Sequence, residues 1–173
     1  MSNNRSVVLA LSIAVLFGAF NRLAFAAPPG GRIEIMNAHS DLCLSPAGGG
    51  RGNNDEIVQF TCDQDPSRFW TFRVVGDDVV KIVNVNSGLC LTVAGGNKER
   101  NTVSVQYSCD NDPSRRWHYV SDGGTFRLMN VNSGLCLTIA GGGTGKNVTA
   151  VQFPCDGDPS RNWKIKSSAH RID

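Results

Sequence analysis

Three near-copies of one nine-residue stretch constrain the fold of this chain more than any other feature. The copies are CDQDPSRFW at 62–70, CDNDPSRRW at 109–117 and CDGDPSRNW at 155–163. A second cysteine, in a Leu-Cys-Leu tripeptide, precedes each copy by 19 residues, and the step between copies is 47 and then 46 residues. Because a fixed period of this size is typical of tandem repeats, the sequence predicts three units without linkers, at about 32–75, 76–121 and 122–167.

The first 26 residues have the order of regions that is typical of a secretion signal. A charged start, MSNNR, is followed by an apolar run from Val7 to Phe20 and by the small-residue segment Ala24-Phe25-Ala26. The run is shorter than the roughly 20 apolar residues that a membrane helix needs, so no membrane span is predicted. We expect cleavage after Ala26, a secreted (extracellular or periplasmic) product, and a single domain at 27–173.

The charge balance argues against a nucleic-acid partner. The whole chain has 17 basic and 15 acidic residues, and removal of the signal takes away Arg5 and Arg22 but no acid. Nucleic-acid binding depends on clustered positive charge, which a nearly neutral chain does not supply.

All six cysteines belong to the repeat pattern, two in each unit. In an exported chain this predicts disulfides, and of the fifteen pairings that six cysteines allow, repeat symmetry selects those within units. The predicted bridges are Cys43–Cys62, Cys90–Cys109 and Cys136–Cys155. Each closes a loop of about 20 residues and contributes roughly 3 kcal/mol of stability. Zinc is the alternative use of cysteine, but ligand pairs two to four residues apart are absent, and no metal or cofactor is predicted.

The local patterns within each unit predict β-strands throughout. In the third copy, TFRLMN at 125–130 alternates in side-chain character, the turn NSG follows, and LCLTI at 135–139 makes a second strand. A third strand is expected around 150–154 and a fourth from Trp163. Four short strands repeated three times, in units too small to have separate cores, predict an all-β fold: a β-trefoil arranged around a pseudo-threefold axis.

The repeated residues resemble those of the ricin B-chain type lectins. The resemblance rests on L-C-L at the second strand, V-Q-[FY]-x-C at the third and a polar pair ahead of x-W at the fourth. It implies a β-trefoil that binds sugars, often as an appendage of toxins or glycoside hydrolases. It also implies that the three tryptophans lie in the shared core: Trp70, Trp117 and Trp163.

The sequence departs from the family's Gln-x-Trp hallmark in every unit. Arginine takes the place of the glutamine, as Arg68, Arg115 and Arg161. Since an arginine can still donate to a backbone carbonyl or to a neighbouring aspartate, the architectural role of this position is expected to survive the change.

The resemblance also locates the sugar sites. The family's acceptor Asp, two residues after the first cysteine, is replaced by Ser45, Thr92 and Thr138, whereas the aromatic platform is kept as Phe60, Tyr107 and Phe153. The strand glutamine lies one residue before the aromatic instead of two. Because strand side chains alternate between faces, we expect Gln59, Gln106 and Gln152 to point away from the sugar.

The aspartate before each proline has two interpretations. Asp65, Asp112 and Asp158 could supply the missing acceptor for sugar hydroxyls, with Arg115 beside Asp112 as a further candidate. Alternatively, these aspartates cap the turn and pair with the arginines.

The sequence therefore predicts a secreted, non-catalytic carbohydrate-binding module with up to three shallow sites, whose partners are glycans or polysaccharides. The site in the second unit is predicted to be the strongest of the three, because Tyr107 offers both a ring face and a hydroxyl. The alternative is a structural or protein-interaction trefoil, such as a toxin or enzyme accessory subunit or an inhibitor, with degenerate sugar pockets.

Overall fold

The computed structural model describes residues 27–167, and the predicted signal peptide lies outside them. In these residues the chain forms twelve short strands: β1 Ile33–Asn37, β2 Cys43–Pro46, β3 Ile57–Phe60, β4 Phe69–Val74, β5 Val79–Asn84, β6 Cys90–Val93, β7 Ser104–Tyr107, β8 Trp117–Asp122, β9 Thr125–Asn130, β10 Cys136–Ile139, β11 Ala150–Phe153 and β12 Trp163–Ser167. The helical segments are six 3-10 turns of three residues each. Four strands fall in each predicted unit.

Six of the strands form a closed barrel. Antiparallel pairing runs from β1 to β4, β5, β8, β9 and β12, and β12 returns to β1 with Ile35 opposite Ile165. The remaining strands form three hairpins, β2–β3, β6–β7 and β10–β11, which have the same register. Closure leaves the barrel strands without an exposed sheet edge. This architecture confirms the predicted all-β trefoil.

The three hairpins are joined to one another in a ring. Isolated bridges pair Glu56 with Val105, and the equivalent residues pair the second unit with the third and the third with the first. Backbone hydrogen bonds follow the same order, for example from the Asn54 amide to the Gln106 carbonyl at 2.9 Å. Each unit is therefore held by its neighbour.

The core prediction for the tryptophans is confirmed. Trp70, Trp117 and Trp163 are fully buried, and each indole N–H donates to the carbonyl of the leucine after the first cysteine, at 2.9 to 3.1 Å. Because a buried indole N–H without a partner is costly, this bond fixes the fourth strand of a unit to its second.

The three disulfides connect the predicted cysteines, Cys43–Cys62, Cys90–Cys109 and Cys136–Cys155. Each bridge ties the second strand of a unit to the start of its nonapeptide. The prediction from repeat symmetry is confirmed.

A buried carboxylate in β1 gives a prediction about stability. Glu34 is 1% exposed, its Oε1 has no hydrogen-bond partner among the described residues, and its Oε2 lies 3.6 Å from the Lys166 ammonium. Burial raises the pKa of Glu34 above its ordinary value of 4.5. The folded state therefore keeps this proton to higher pH than the unfolded state, and the stability contributed by Glu34 falls as the pH rises from about 4.5 through the raised pKa.

Glu34→Gln is expected to remove that fall. The free energy of unfolding of the variant should match that of the wild type near pH 4 and exceed it near pH 7.5 by about 0.5 to 1 kcal/mol, because the glutamine side chain places no charge in this buried position. Urea unfolding at the two pH values measures the difference, with the exposed Glu56→Gln as the matched control. A difference that does not change with pH would contradict the assignment.

Candidate functional site

The repeated nonapeptide folds as a capped 3-10 turn in all three units. In the second unit the turn is Pro113–Arg115, and Asp112 accepts hydrogen bonds from the Ser114 amide at 2.8 Å and from the Ser114 hydroxyl at 2.6 Å. The same two bonds join Asp65 to Ser67 and Asp158 to Ser160. The turn is therefore set by local chemistry, with proline at the first position and the aspartate as its cap.

These capping bonds keep the aspartates ionised. Two hydrogen bonds hold the pKa of each carboxyl below its ordinary value of 3.8: the bond from the serine hydroxyl, which has the larger effect, and the bond from the serine amide. Hydrogen bonds to the charged form favour that form. The rim of each unit thus carries a carboxylate at neutral pH, and about half of each aspartate side chain is exposed.

The arginines pair with the aspartates of the same turn. Arg115 Nη1 lies 3.1 Å from Asp110 and 3.3 Å from Asp112, and Arg161 makes the equivalent contacts with Asp156 and Asp158 at 2.9 and 3.0 Å. Arg161 Nε also donates to the Pro154 carbonyl at 2.9 Å. These contacts are those expected of an arginine in the family's glutamine position, and they show the aspartates in the turn-capping arrangement.

The aromatic residues lie beside these arginines. The guanidinium carbon of Arg115 is 4.8 Å from the centre of the Tyr107 ring, and the corresponding distances are 4.8 Å for Phe60 and 4.9 Å for Phe153. Each ring is half-buried. A guanidinium in cation–π contact fixes the orientation of the ring.

Ser45, Thr92 and Thr138 are buried against the capped turn of their unit. Thr92 is buried, and its hydroxyl donates to the Ser114 carbonyl at 3.1 Å and lies 3.0 Å from the Ser114 hydroxyl. Thr138 makes the equivalent contact with the Ser160 hydroxyl at 2.9 Å, and the Ser45 hydroxyl lies 3.3 Å from that of Ser67. In each unit this hydroxyl thus contacts the serine of the capped turn.

The strand glutamines point away from these sites, as expected. Gln106 is fully buried, and its amide nitrogen donates to the Gly50 and Gly52 carbonyls at 2.9 and 3.2 Å, while its oxygen accepts from the Ser87 hydroxyl at 2.7 Å. Gln59 and Gln152 make the same kind of bonds. In each case the carbonyls belong to a loop of another unit: the first unit for Gln106, the second for Gln152 and the third for Gln59.

That loop brings an asparagine to the site of the next unit. Asn54, Asn101 and Asn147 occupy one position in the repeat, and all have the left-handed backbone conformation, with φ of 63 to 69°. Asn54 lines the concavity of the second unit and Asn101 that of the third. Sequence reasoning did not select these asparagines, although their identity in all three copies was available as a signal.

Concavities occur in the second and third units. The second-unit concavity has a volume of about 350 Å³, and its lining includes Thr92, Tyr107, Asp112 and Arg115. The third-unit concavity, of about 170 Å³, is lined by residues that include Thr138, Phe153 and Asp158. The larger one falls within the roughly 300 to 1,000 Å³ of small-molecule sites.

The predicted site residues are therefore brought together unit by unit. In the second unit Thr92, Tyr107, Asp112 and Arg115 share one concavity. In the first unit Ser45 contacts Arg68, which lies over Phe60 and pairs with Asp65. Whether sugar binds at any of these residues stays a prediction.

Comparison with protein families gives one match over much of the chain. The family described as "Ricin-type beta-trefoil lectin domain-like" matches residues 69–153 and 119–172. No match was found among curated proteins.

Several solved structures are similar to this chain. ThreeFoil, a designed threefold-symmetric protein, is 20% identical with a TM-score of 0.78, over 79% of this chain and 99% of that one. A ricin B-like lectin from Macrolepiota procera, solved with lactose, is 19% identical with a TM-score of 0.70, over 82% and 99% of the two chains. An exo-β-1,3-galactanase from Clostridium thermocellum is 27% identical with a TM-score of 0.78, over 82% of this chain but 31% of that one. Similarity at this level shows the fold of this chain. The matched region makes up nearly the whole of the first two proteins but only part of the enzyme.

Within residues 27–167, no helix has the length and apolar composition needed to cross a bilayer.

Proposed function

Since this chain belongs to the family of ricin-type β-trefoil lectin domains, we propose that it is a non-catalytic carbohydrate-binding module whose strongest site is the second-unit concavity. The third-unit concavity is a second, smaller site.

The observation that carries the proposal is the composition of the second-unit concavity. It combines a half-buried ring, Tyr107, with a rim carboxylate, Asp112, and with Asn54 from the neighbouring unit. A pyranose has an apolar face that packs on an aromatic ring, and its hydroxyls need acceptors and donors at the edge of that ring. The concavity supplies both.

The capping role of Asp112 is compatible with sugar binding. Asp112 Oδ1 accepts both bonds from Ser114, and Oδ2 is the oxygen that lies 3.3 Å from Arg115. An ionised carboxylate has about four lone-pair positions, so these contacts leave acceptor capacity for sugar hydroxyls. The turn thus holds Asp112 in place, and Asp112 can hold a ligand at the same time.

A glycan-array screen of the oxidised protein, with Tyr107→Ala beside it, tests the proposal. We expect the wild type to bind a defined class of sugar and Tyr107→Ala to bind it about tenfold more weakly, since the variant loses the stacking surface. Tyr107→Phe, which keeps the ring, is the matched control and should retain most of the binding. A thermal melt of each variant excludes unfolding as the cause.

The competing function is a protein-interaction trefoil, and one observation favours it. The Tyr107 ring already lies against Arg115, and the aspartates of the turn already pair with that arginine. If a folded wild-type sample binds no glycan on the array, the site is degenerate and the search moves to protein partners.

We also propose that the protein is exported from the cell. Three disulfides are expected in an oxidising compartment, which supports removal of residues 1–26 and a mature single domain at 27–173. Intact-mass measurement of the secreted protein checks the cleavage site. A mass that still includes the first 26 residues would contradict it.

A further inference from the structure

In the first unit, the neighbouring loop places a lysine, Lys146, over the aromatic ring. The loop at 143–147 comes from the third unit and is fastened to Gln59, the residue before Phe60. The Gln59 amide nitrogen donates to the Gly143 and Gly145 carbonyls, both at 2.8 Å, and the Asn147 amide donates to the Gln59 carbonyl at 2.8 Å. The backbone on either side of Lys146 is therefore fixed next to Phe60.

The consequence is a cation over the aromatic platform. The Lys146 ammonium lies 5.4 Å from the centre of the Phe60 ring, and the Lys146 side chain is exposed. Arg68, the other cation at this ring, is paired with Asp63 and Asp65. Within residues 27–167, Arg68 forms ion pairs, whereas Lys146 forms none. Of the two cations at the Phe60 ring, Lys146 is thus the one that no carboxylate among residues 27–167 pairs with.

The equivalent position has different chemistry in the second unit. There the residue is Asn53, which is uncharged, and its side-chain oxygen accepts from the Ser108 amide at 3.0 Å. In the third unit the position is Arg100, directly before Asn101. The position is therefore neutral at the second unit and cationic at the other two, as arginine or lysine, while the asparagine after it is constant.

We propose that the first unit binds a pyranose that carries a carboxylate, and that Lys146 is the residue that selects it. This rests on the proposed function, because it assumes that a sugar stacks on the ring. An acidic sugar packed on Phe60 brings its carboxylate to the Lys146 ammonium, where a charge-assisted hydrogen bond forms. Any sugar that packs on Phe60 displaces the ammonium from the ring, but a neutral sugar offers it no charge in return.

Paired probes that differ only at C6 test the inference. The probes are the methyl glycosides of glucose and galactose and the corresponding methyl glycosiduronates, added to uniformly ¹⁵N-labelled protein and followed by amide chemical shifts. We expect both uronates to shift the Phe60 amide, with an affinity about tenfold above that of the neutral sugars. The preference should weaken between about 20 and 300 mM salt, because the Debye length shortens.

Two reciprocal variants make the test specific. Lys146→Asn, which gives the first unit the residue of the second, should abolish the preference for uronates at Phe60 and leave the response of Tyr107 unchanged. Asn53→Lys should create a uronate preference at Tyr107. A Phe60 response that does not depend on the C6 carboxylate, or a preference that survives Lys146→Asn, overturns the inference.

The outcomes also separate this inference from the function on which it rests. If the neutral sugars shift Tyr107 and no uronate shifts Phe60, the proposed function stands and the inference fails. If none of the four probes shifts the amide of any of the three rings, the inference is overturned, and the glycan array alone decides the proposed function.

Discussion

Replacing Gln106 by alanine is expected to lower the free energy of unfolding by about 3 kcal/mol. The Gln106 side chain is fully buried, its nitrogen donates to the Gly50 and Gly52 carbonyls of the first unit, and its oxygen accepts from Ser87. Alanine leaves these groups without partners and opens a cavity. The loss is large because one side chain joins two units.

Chemical unfolding of Gln106→Ala and of Gln64→Ala measures the effect. Gln64 is exposed in the loop before the first-unit turn, so its replacement should change stability by less than about 0.5 kcal/mol. Equal effects in the two variants would show that Gln106 does not fasten the loop of the first unit.

Removing the second-unit disulfide is expected to lower both stability and sugar binding. The pair Cys90→Ala and Cys109→Ala opens a loop whose ends are 19 residues apart, which in the chain-entropy account costs about 3 kcal/mol. Cys109 begins the segment that carries Asp112 and Arg115. Sugar binding at Tyr107 should weaken because the capped turn loses its anchor.

The third-unit disulfide is the matched control. Cys136→Ala with Cys155→Ala opens a loop of the same length, so the loss of stability should be similar. It lies in another unit, however, and should leave binding at Tyr107 intact. If the two double variants weaken this binding equally, the effect is global destabilisation and not loosening of the second-unit turn.

The architecture was predictable because its determinants are repeated. The cysteine spacing, the buried tryptophan and the Asp-Pro turn recur in all three copies, so one interpretation applied three times and each copy supported the others. The capped turn followed from local chemistry, since the bonds from Ser114 to Asp112 span two residues. Interactions between residues this close in the chain can be predicted from the sequence.

The division of each site between two units was not predictable in the same way. Asn54 belongs to the first unit but lines the concavity of the second, and nothing in a linear repeat indicates which unit's loop meets which ring. Strand alternation predicted that Gln106 points away from the sugar site, but its partners, Gly50 and Gly52, lie more than 50 residues away in the sequence. Contacts of this kind depend on the order in which the hairpins close the ring.

The inequality of the three sites depends on residues that break the repeat. Asn53, Arg100 and Lys146 occupy equivalent positions in loops fastened by equivalent glutamines. These residues differ between the copies, so the pattern that the copies share does not indicate them. The fold places Lys146 over the Phe60 ring and Asn53 against the Ser108 amide beside Tyr107, so the first and second units differ in the charge beside the ring.

The most direct test of the central claim is to map where a glycan identified on the array binds, by amide chemical shifts of the oxidised protein. We expect the shifts to concentrate at Tyr107 and Asp112 in the second unit and at Asn54 in the first. Shifts confined to another surface, such as the surroundings of Met129 and Cys136 in the third unit, would contradict it.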